Sequence, residues 1–446
     1  MGLFRRKKPV ETPGSPEPEP APAPALAARP TPTVDGLRAV DDHRDWVLSH
    51  IDRLPAFGQT LLDAVGLSVC EDIVADLDLP RFDQAAADGY AVRSADLAGC
   101  DRSHPVKLPV AGSLTVGDPG DEPIRPGSAI RVAAGAPLPP GADAVVAYQD
   151  TDRGWTNATV LHGPAPGERV HRRGQDVAEG DRIVADGDLL GPRQVGMLAG
   201  IGIDQVLVRP RPRVVVVSAG SEFAAPGSEP APGQVYDATS FLLAALARSS
   251  GAQVFRIGVA GDDADALAQT ISDQLVRADL LITSGSAGGS ERDLVRQVLA
   301  RLGDADFARV AMQPGMAQGF ALIGDERTPA FLVPGGPVPA YISFEIFVRP
   351  ALRRMMGLDP GTGTATSAVS GLALTSRRGV TQYRPGRVSA SADGRRHVVP
   401  TAGEGSHTLV DLARANALVV LGPGVGTVAA GDPVEVRMLD DEPDHE

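Results

Sequence analysis

Four consecutive valines, Val214-Val215-Val216-Val217, constrain this chain more than any other stretch. An apolar run without alternation fits a strand covered on both faces, as in a parallel sheet flanked by helices. The residues that follow keep the rhythm of such a sheet. The spacing predicts a helix at about 238–249, a strand at 253–258, a helix at 263–277, the strand Leu280-Leu281-Ile282-Thr283 and a helix at about 291–302. Phe320 to Ile323 and Ala330 to Val333 read as further strands before a helix at 337–348. Together they predict an open α/β sheet over Arg213 to Pro350, with ligands at the carboxyl ends of its strands.

Outside that block the pattern changes. The 446 residues exceed one ordinary core, so about two to four domains are expected. Residues 1 to about 34 carry Arg5-Arg6-Lys7-Lys8 and then Pro, Glu and Ala repeats, a disordered tail by composition. Order is expected from Val34, where Leu37, Val40, Val47, Leu48 and Ile51 recur at helical spacing and Asp35 offers an N-cap. Leu61 to Ile73 reads as a second amphipathic segment. Short strands between Gly and Pro turns from Pro105 to Val160 predict a β-rich insertion. After Gly361 short strands return, with Asp393-Gly394 as a hairpin turn, and predict a small β barrel or sandwich.

Composition narrows the function. Aromatic residues make up 4% of the chain and the formal net charge is -14, which together argue against a nucleic-acid partner. The two cysteines, Cys70 and Cys100, have no metal-type spacing, and no apolar run approaches a membrane span. A reducing, cytoplasmic setting is the expectation.

Several phrases carry chemistry. Ser284-Gly285-Ser286-Ala287-Gly288-Gly289-Ser290 lies between a predicted strand and helix. Its amides suit a phosphate, and its glycines equally suit a plain strand-to-helix turn. Glu222, Asp262, Asp263 and Asp293 fall at strand ends of the same sheet, where acids build an oxygen-rich cation site or cap helices. Arg172-Arg173-Gly174-Gln175-Asp176 offers two guanidinium groups to an anion, or a solvated turn. The phrase Leu79-Pro80-Arg81-Phe82-Asp83-Gln84-Ala85-Ala86-Ala87-Asp88-Gly89-Tyr90-Ala91-Val92-Arg93 closes on Asp-Gly. A positive φ at Gly89 would leave the Asp88 carboxylate free at a tip; the alternative is a polar hairpin between two strands. The 8 histidines show no metal spacing, and Gly405-Ser406-His407 reads as a capped turn without a triad partner.

In this order the phrases resemble the molybdopterin molybdenumtransferases, the MoeA and gephyrin E-domain family with its actinobacterial gephyrin-like branch. Gly135-Ala136-Pro137 through Gly141-Ala142-Asp143-Ala144-Val145-Val146, Gly233-Gln234-Val235-Tyr236-Asp237 and Pro334-Gly335 with Pro337 complete the match, which runs from about Val34 to the C-terminus. The resemblance implies a multidomain α/β protein. A central open MogA-like molybdopterin-binding domain (209–355) would carry a β-rich insertion domain (81–176) and a C-terminal β barrel (360–440). A linker domain would form from 56–80 and 177–208, and an N-terminal helix (35–55) would pack on the central domain.

The implied reaction is Mg²⁺-dependent insertion of molybdate into adenylyl-molybdopterin with release of AMP. By position the resemblance gives catalytic roles to Asp88, Asp176, Asp262, Asp293 and Arg309, and metal binding to Glu222 and Asp262. Substrate contacts fall to the loop residues Ser284, Gly285, Ser286, Gly288 and Gly289, to Arg172 and Arg173, and to Pro334, Pro337 and Ser406. Implied partners are a second copy of the chain, with the site between subunits, and a MogA-type adenylyltransferase. The chain departs from the family pattern at Ala134 (usually Thr), Ser221 (Asp), Gly336 (Asn), Gln313 and Met316 (both Lys), while Arg309 keeps the charge of a third lysine position. A charge-assisted contact contributes about 1.5–3 kcal/mol. Losing two of them would slow turnover about a hundredfold or more. The alternative function is a weakened, gephyrin-like scaffold that binds a peptide of the cell-division or membrane-receptor machinery.

Overall fold

The computed structural model describes residues 26–32, 35–260, 263–285, 293–361, 365–391, 394–401 and 408–439. Its central sheet contains β1 (Arg213–Ala219), β2 (Gln253–Ala260), β3 (Leu280–Gly285), β4 (Gly303–Arg309), β5 (Ala317–Ile323) and β6 (Thr328–Pro334). The strand order is β2-β1-β3-β6-β5-β4. The first four are parallel, and β5 runs antiparallel to both of its neighbours.

The valine run behaves as a doubly covered strand. Val214 and Val216 point into one core with Leu280 and Ile282, and Val215 and Val217 point into the opposite core with Leu281. The first core is closed by α1 (Val40–Leu48), α2 (Ala238–Ser249) and the helical run after β6. The second is closed by α3 (Ala264–Leu275) and α4 (Leu294–Leu302). The chain leaves β1 for β2 on one side and returns to β3 on the other. The carboxyl ends of β1 and β3 therefore flank a topological switch point, where open α/β sheets bind ligands.

Other expectations needed correction. Helix α1 begins at Val40 with Ala39 at its N-cap and no side-chain cap, so Asp35 does not cap it. Leu61 to Ile73 is not helical: Gly66 takes φ +78 and breaks the run into turns. Its apolar residues still fill a small core together with the helix Pro192–Gly200, which the sequence reading did not place. The helix expected at 337–348 is longer and interrupted. α5 (Pro337–Ser343) passes through a π turn at Phe344–Val348 into α6 (Arg349–Met355). Strand β4 was also unplaced. It lies at the sheet edge with its acidic residues Asp304 and Asp306, which masked its apolar signal.

The insertion is a five-stranded sheet ordered Ala144–Ala147, Gly89–Val92, Ala129–Val132, Val106–Leu114 and Asn157–Val160. In the C-terminal region Thr381–Ala390, Arg396–Pro400, Ala365–Ser370, Pro433–Met438 and Ala417–Leu421 pair in sequence around a closed barrel, since the first and last also pair with each other. Gly394, at φ +77, serves the turn between two of these strands, whereas Asp393 lies outside the described residues.

Candidate functional site

Ser218 on β1 and Ser284 on β3 are register partners at the switch point. Their relative exposures are 0% and 1%, and among the described residues neither hydroxyl has a hydrogen-bond partner. The hydroxyl of Thr283, one residue earlier, is satisfied by donating to the Phe331 carbonyl at 2.9 Å. On β3 the unpaired buried hydroxyl is thus the one at the carboxyl end, not the one before it. Ser284 lies opposite Val333 of β6, and Gly285 opposite Pro334.

Beside this edge a cavity of about 90 Å³ opens between α4 and the last three strands, lined among others by Asp293, Arg296, Arg309, Gln318, Val333 and Pro334. Asp293 is buried and caps α4, its Oδ1 accepting from the Val295 and Arg296 amides at 3.0 and 3.3 Å. Burial pushes its carboxyl above the ordinary value, and those amides only partly oppose the rise. Arg309 is exposed at the end of β4 and donates to the Met316 sulfur at 3.2 Å, a weak acceptor. The neighbouring Pro334 to Pro337 loop is held by Thr239, whose hydroxyl donates to the Gly335 carbonyl at 2.7 Å, and Pro337 takes the first turn of α5.

Glu222 follows β1. Gly220 before it has φ +136, and a Cβ there would fall 2.1 Å from Glu222 Oε2. Glycine therefore lets the exposed carboxylate fold back over the loop. Among the described residues no group of three or more His, Cys, Asp or Glu is placed to hold a metal ion. Mg²⁺ usually takes one or two protein carboxylates and completes its shell with phosphate oxygens and water. Glu222 fits that habit.

A second set of candidates lies in the β-rich part. Asp88 does not project free: its Oδ1 accepts from the Ala134 amide at 2.8 Å. The side chain lost at Ala134 thus leaves this contact intact, because the backbone makes it. Gly89 does not use a positive φ, and no hairpin forms here. It lies inside a strand, where a Cβ would meet the Val146 carbonyl oxygen at 2.0 Å, so glycine is required for close approach. Asp176 is exposed on an open groove of about 670 Å³ with Pro80, Arg81, Phe82, His171 and Gln175.

The adjacent arginines close on carboxylates. The Arg172 guanidinium donates to Asp83 Oδ2 at 2.6 Å, the Arg173 amide to Asp83 Oδ1 at 2.8 Å, and the Arg173 guanidinium to Asp78. Burial opposes the ionisation of Asp83, but these donors outweigh it and hold the carboxyl below its usual value. The Glu179 amide and Arg173 do the same for Asp78.

Asp293, Arg309 and Pro334 share one cavity, and register brings Ser284 and Gly285 beside it. Asp176 lines a different one. Asp262, Ser286, Gly288, Gly289 and Ser406 lie outside the described residues. The cap of α3 is Asp263, which accepts from the Ala266 amide at 2.7 Å. Where lysines were expected, Gln313 accepts from the Gln382 amide group at 3.3 Å and Met316 receives Arg309. Ser218 is not among the candidate residues that the sequence singles out. Its one sequence signal was a hydroxyl residue at the end of an otherwise apolar strand.

The three parts match known families in order. Residues 38–202 match the MoeA N-terminal region (domain I and II), 215–354 a probable molybdopterin binding domain, and 367–439 the MoeA C-terminal region (domain IV). The chain is 38% identical over 398 residues to molybdopterin molybdenumtransferase 1 of Mycobacterium tuberculosis, covering 85% of this chain and 93% of that protein. It is also 38% identical over 406 residues to molybdopterin molybdenumtransferase 2 of the same species, covering 90% and 99%. The crystal structure of the molybdopterin biosynthesis MoeA protein from Pyrococcus horikoshii superposes with a TM-score of 0.79 at 28% identity, covering 91% of this chain and 100% of that one.

Proposed function

We propose a reaction for this chain from one premise: it belongs to the MoeA family of molybdopterin molybdenumtransferases. The reaction is insertion of molybdate into adenylyl-molybdopterin, with release of AMP. The observation that carries this reading is the pair of unpartnered hydroxyls of Ser218 and Ser284 at the switch point, beside the Asp293–Arg309 cavity. A buried polar group left unpaired costs about 1–3 kcal/mol, so a polar ligand that engages both hydroxyls recovers that cost on binding.

Each side chain then has a task. Ser218 and Ser284 orient the substrate at the strand ends. Arg309, whose guanidinium has one described hydrogen bond, to a thioether, holds the anionic oxygens of phosphate or molybdate. Asp293, with its raised carboxyl, takes the proton of the water that attacks the adenylyl phosphorus. The P–O bond to the bridging oxygen breaks and AMP leaves. Glu222, joined by Asp262, would hold Mg²⁺, which when bound neutralises developing charge on the phosphate oxygens.

Neither Asp88 nor Asp176 lines this cavity, so the reading includes a homodimer in which each chain presents them to its partner's sheet. Mixing Asp88→Asn with Asp293→Asn protein should then restore AMP release that neither variant shows alone. Failure of complementation would leave the two sites unconnected.

A second reading has one observation in its favour. Both expected lysine positions are engaged in internal contacts, Gln313 with Gln382 and Met316 with Arg309, as a scaffold that binds a division or membrane-receptor peptide would allow. Incubation of the purified chain with adenylyl-molybdopterin, Mg²⁺ and molybdate separates the two. The transferase yields AMP in step with molybdenum cofactor, whereas the scaffold yields neither.

A further inference from the structure

Strand β4 ends at Arg309 on the edge of the central sheet, with β5 as its only sheet neighbour among the described residues. An edge strand held on one side frays easily at its end. Here the end is held on its other side by a segment far away in sequence. The Arg38 amide donates to the Arg309 carbonyl at 2.8 Å, and the Ala311 amide donates to the Arg38 carbonyl at 2.7 Å. Arg38 and Val310 form a parallel bridge.

The side chains tighten the same junction. The Arg38 guanidinium is buried and binds both carboxylate oxygens of Asp306, itself only 3% exposed and three residues before Arg309 on β4. Leu37 packs with Ala311, Val380 and Met316. The segment before it adds a second fastening. Arg29 pairs with Asp306 at 3.0 Å and donates to the Ala305 carbonyl at 3.2 Å. Ala27 is tied to α1, its amide donating to His50 Nε2 at 2.9 Å and its carbonyl accepting from Trp46 Nε1 at 3.2 Å.

We propose that Arg38, with Arg29 behind it, is a positioning element that clasps the end of β4 so that Arg309 stays aimed into the Asp293 cavity. Asp306 is the post to which both guanidinium groups are fastened. The proposal rests on the anion-holding role given above to Arg309. It assigns to residues 27–29 and 37–38 a function in catalysis rather than in folding alone.

A mutant cycle tests it on the full dimeric protein, with molybdate KM and AMP-release kcat as the readouts. Arg38→Lys keeps the charge but forfeits the two-pronged contact, and Arg29→Ala removes the exposed half of the clasp with little risk to folding. Both should raise the KM for molybdate, Arg38→Lys by about tenfold and Arg29→Ala by a few-fold, and change kcat less. In an Arg309→Ala background neither should have any further effect, since they act through that residue. Additive losses in the double variants, or unchanged KM in both single variants, would overturn the proposal. Hydrogen exchange supplies a readout independent of the reaction. The amides of residues 306–311 should lose protection in both single variants while β1 and β3 keep theirs. If Arg309→Ala leaves KM unaltered but exchange still rises at 306–311, the role of Arg309 fails and the clasp stands as a structural one. Unchanged exchange rejects the clasp itself.

Discussion

The carboxyl edge of the central sheet and the Arg172–Arg173 turn are both rich in polar groups, and they treat them in opposite ways. At the turn both arginines that the sequence singles out have internal partners: Asp83 takes Arg172 and the Arg173 amide, and Asp78 takes the Arg173 guanidinium. At the sheet edge the Ser218 and Ser284 hydroxyls have none, and Arg309 rests on a thioether. The carboxyl groups also move apart, Asp83 and Asp78 downward through their donors and Asp293 upward through burial. A polar residue that has spent its hydrogen bonds inside the chain holds structure. One that has not is available to a ligand.

This contrast can be broken most severely at the serines. Ser218→Ala combined with Ser284→Ala should weaken AMP release by a hundredfold or more, from about 1.5–3 kcal/mol per contact to a charged ligand. The same change should stabilise the ligand-free protein, by about 1–3 kcal/mol for each unpaired hydroxyl removed, as read in denaturant melts. A loss of both activity and stability would mean that the hydroxyls serve the fold.

Asp293→Asn comes next. Asparagine caps a helix as well as aspartate does, so thermal stability should hold while AMP release falls about a hundredfold or more through loss of the proton acceptor. Unaltered turnover would leave Asp293 a cap only. The pH dependence should also differ in sign. A carboxyl raised on folding contributes stability below its unfolded value of 3.8 that is lost as pH rises through the folded value. The Asn variant should therefore gain on wild type as pH increases across that window.

Asp83→Asn should behave in the opposite sense, with a smaller effect. Its carboxyl is lowered on folding, so its contribution is present above 3.8 and disappears as pH falls through the folded value. The variant should melt earlier than wild type at neutral pH, and the two should converge in acid. Smallest of all is Arg173→Ala. Its side chain is 62% exposed, and such a pair contributes about 0–1 kcal/mol, so stability should change little and AMP release by less than about threefold.

The sequence made the sheet legible because its evidence is local. Val214 to Val217, the periodicity of 238–249 and the apolar run Leu280 to Thr283 each report on their own surroundings. Leu61 to Ile73 failed because apolar spacing alone does not separate a helix from turns folded around a core, and Gly66 decides the matter. Edge strand β4 was missed because half-exposed, acidic strands lack an apolar signature. The candidate site divided in the same way. Asp293 could be read from its place at the start of a helix, and Pro334 from the family resemblance. The pairing of Arg172 with Asp83, 89 residues away, and of Arg38 with Asp306, 268 residues away, could not. Residue type was readable throughout, whereas whether a charge is already spent is a property of tertiary contacts.

The central claim is that the open carboxyl edge, and not the closed arginine turn, holds the substrate. Equilibrium binding of molybdopterin tests it most directly, with wild type set against Ser218→Ala/Ser284→Ala and against Arg172→Ala/Arg173→Ala. The account predicts that the serine pair loses affinity by about a hundredfold or more and that the arginine pair stays within about threefold of wild type. Full binding by the serine variant, with binding lost in the arginine variant, would contradict it.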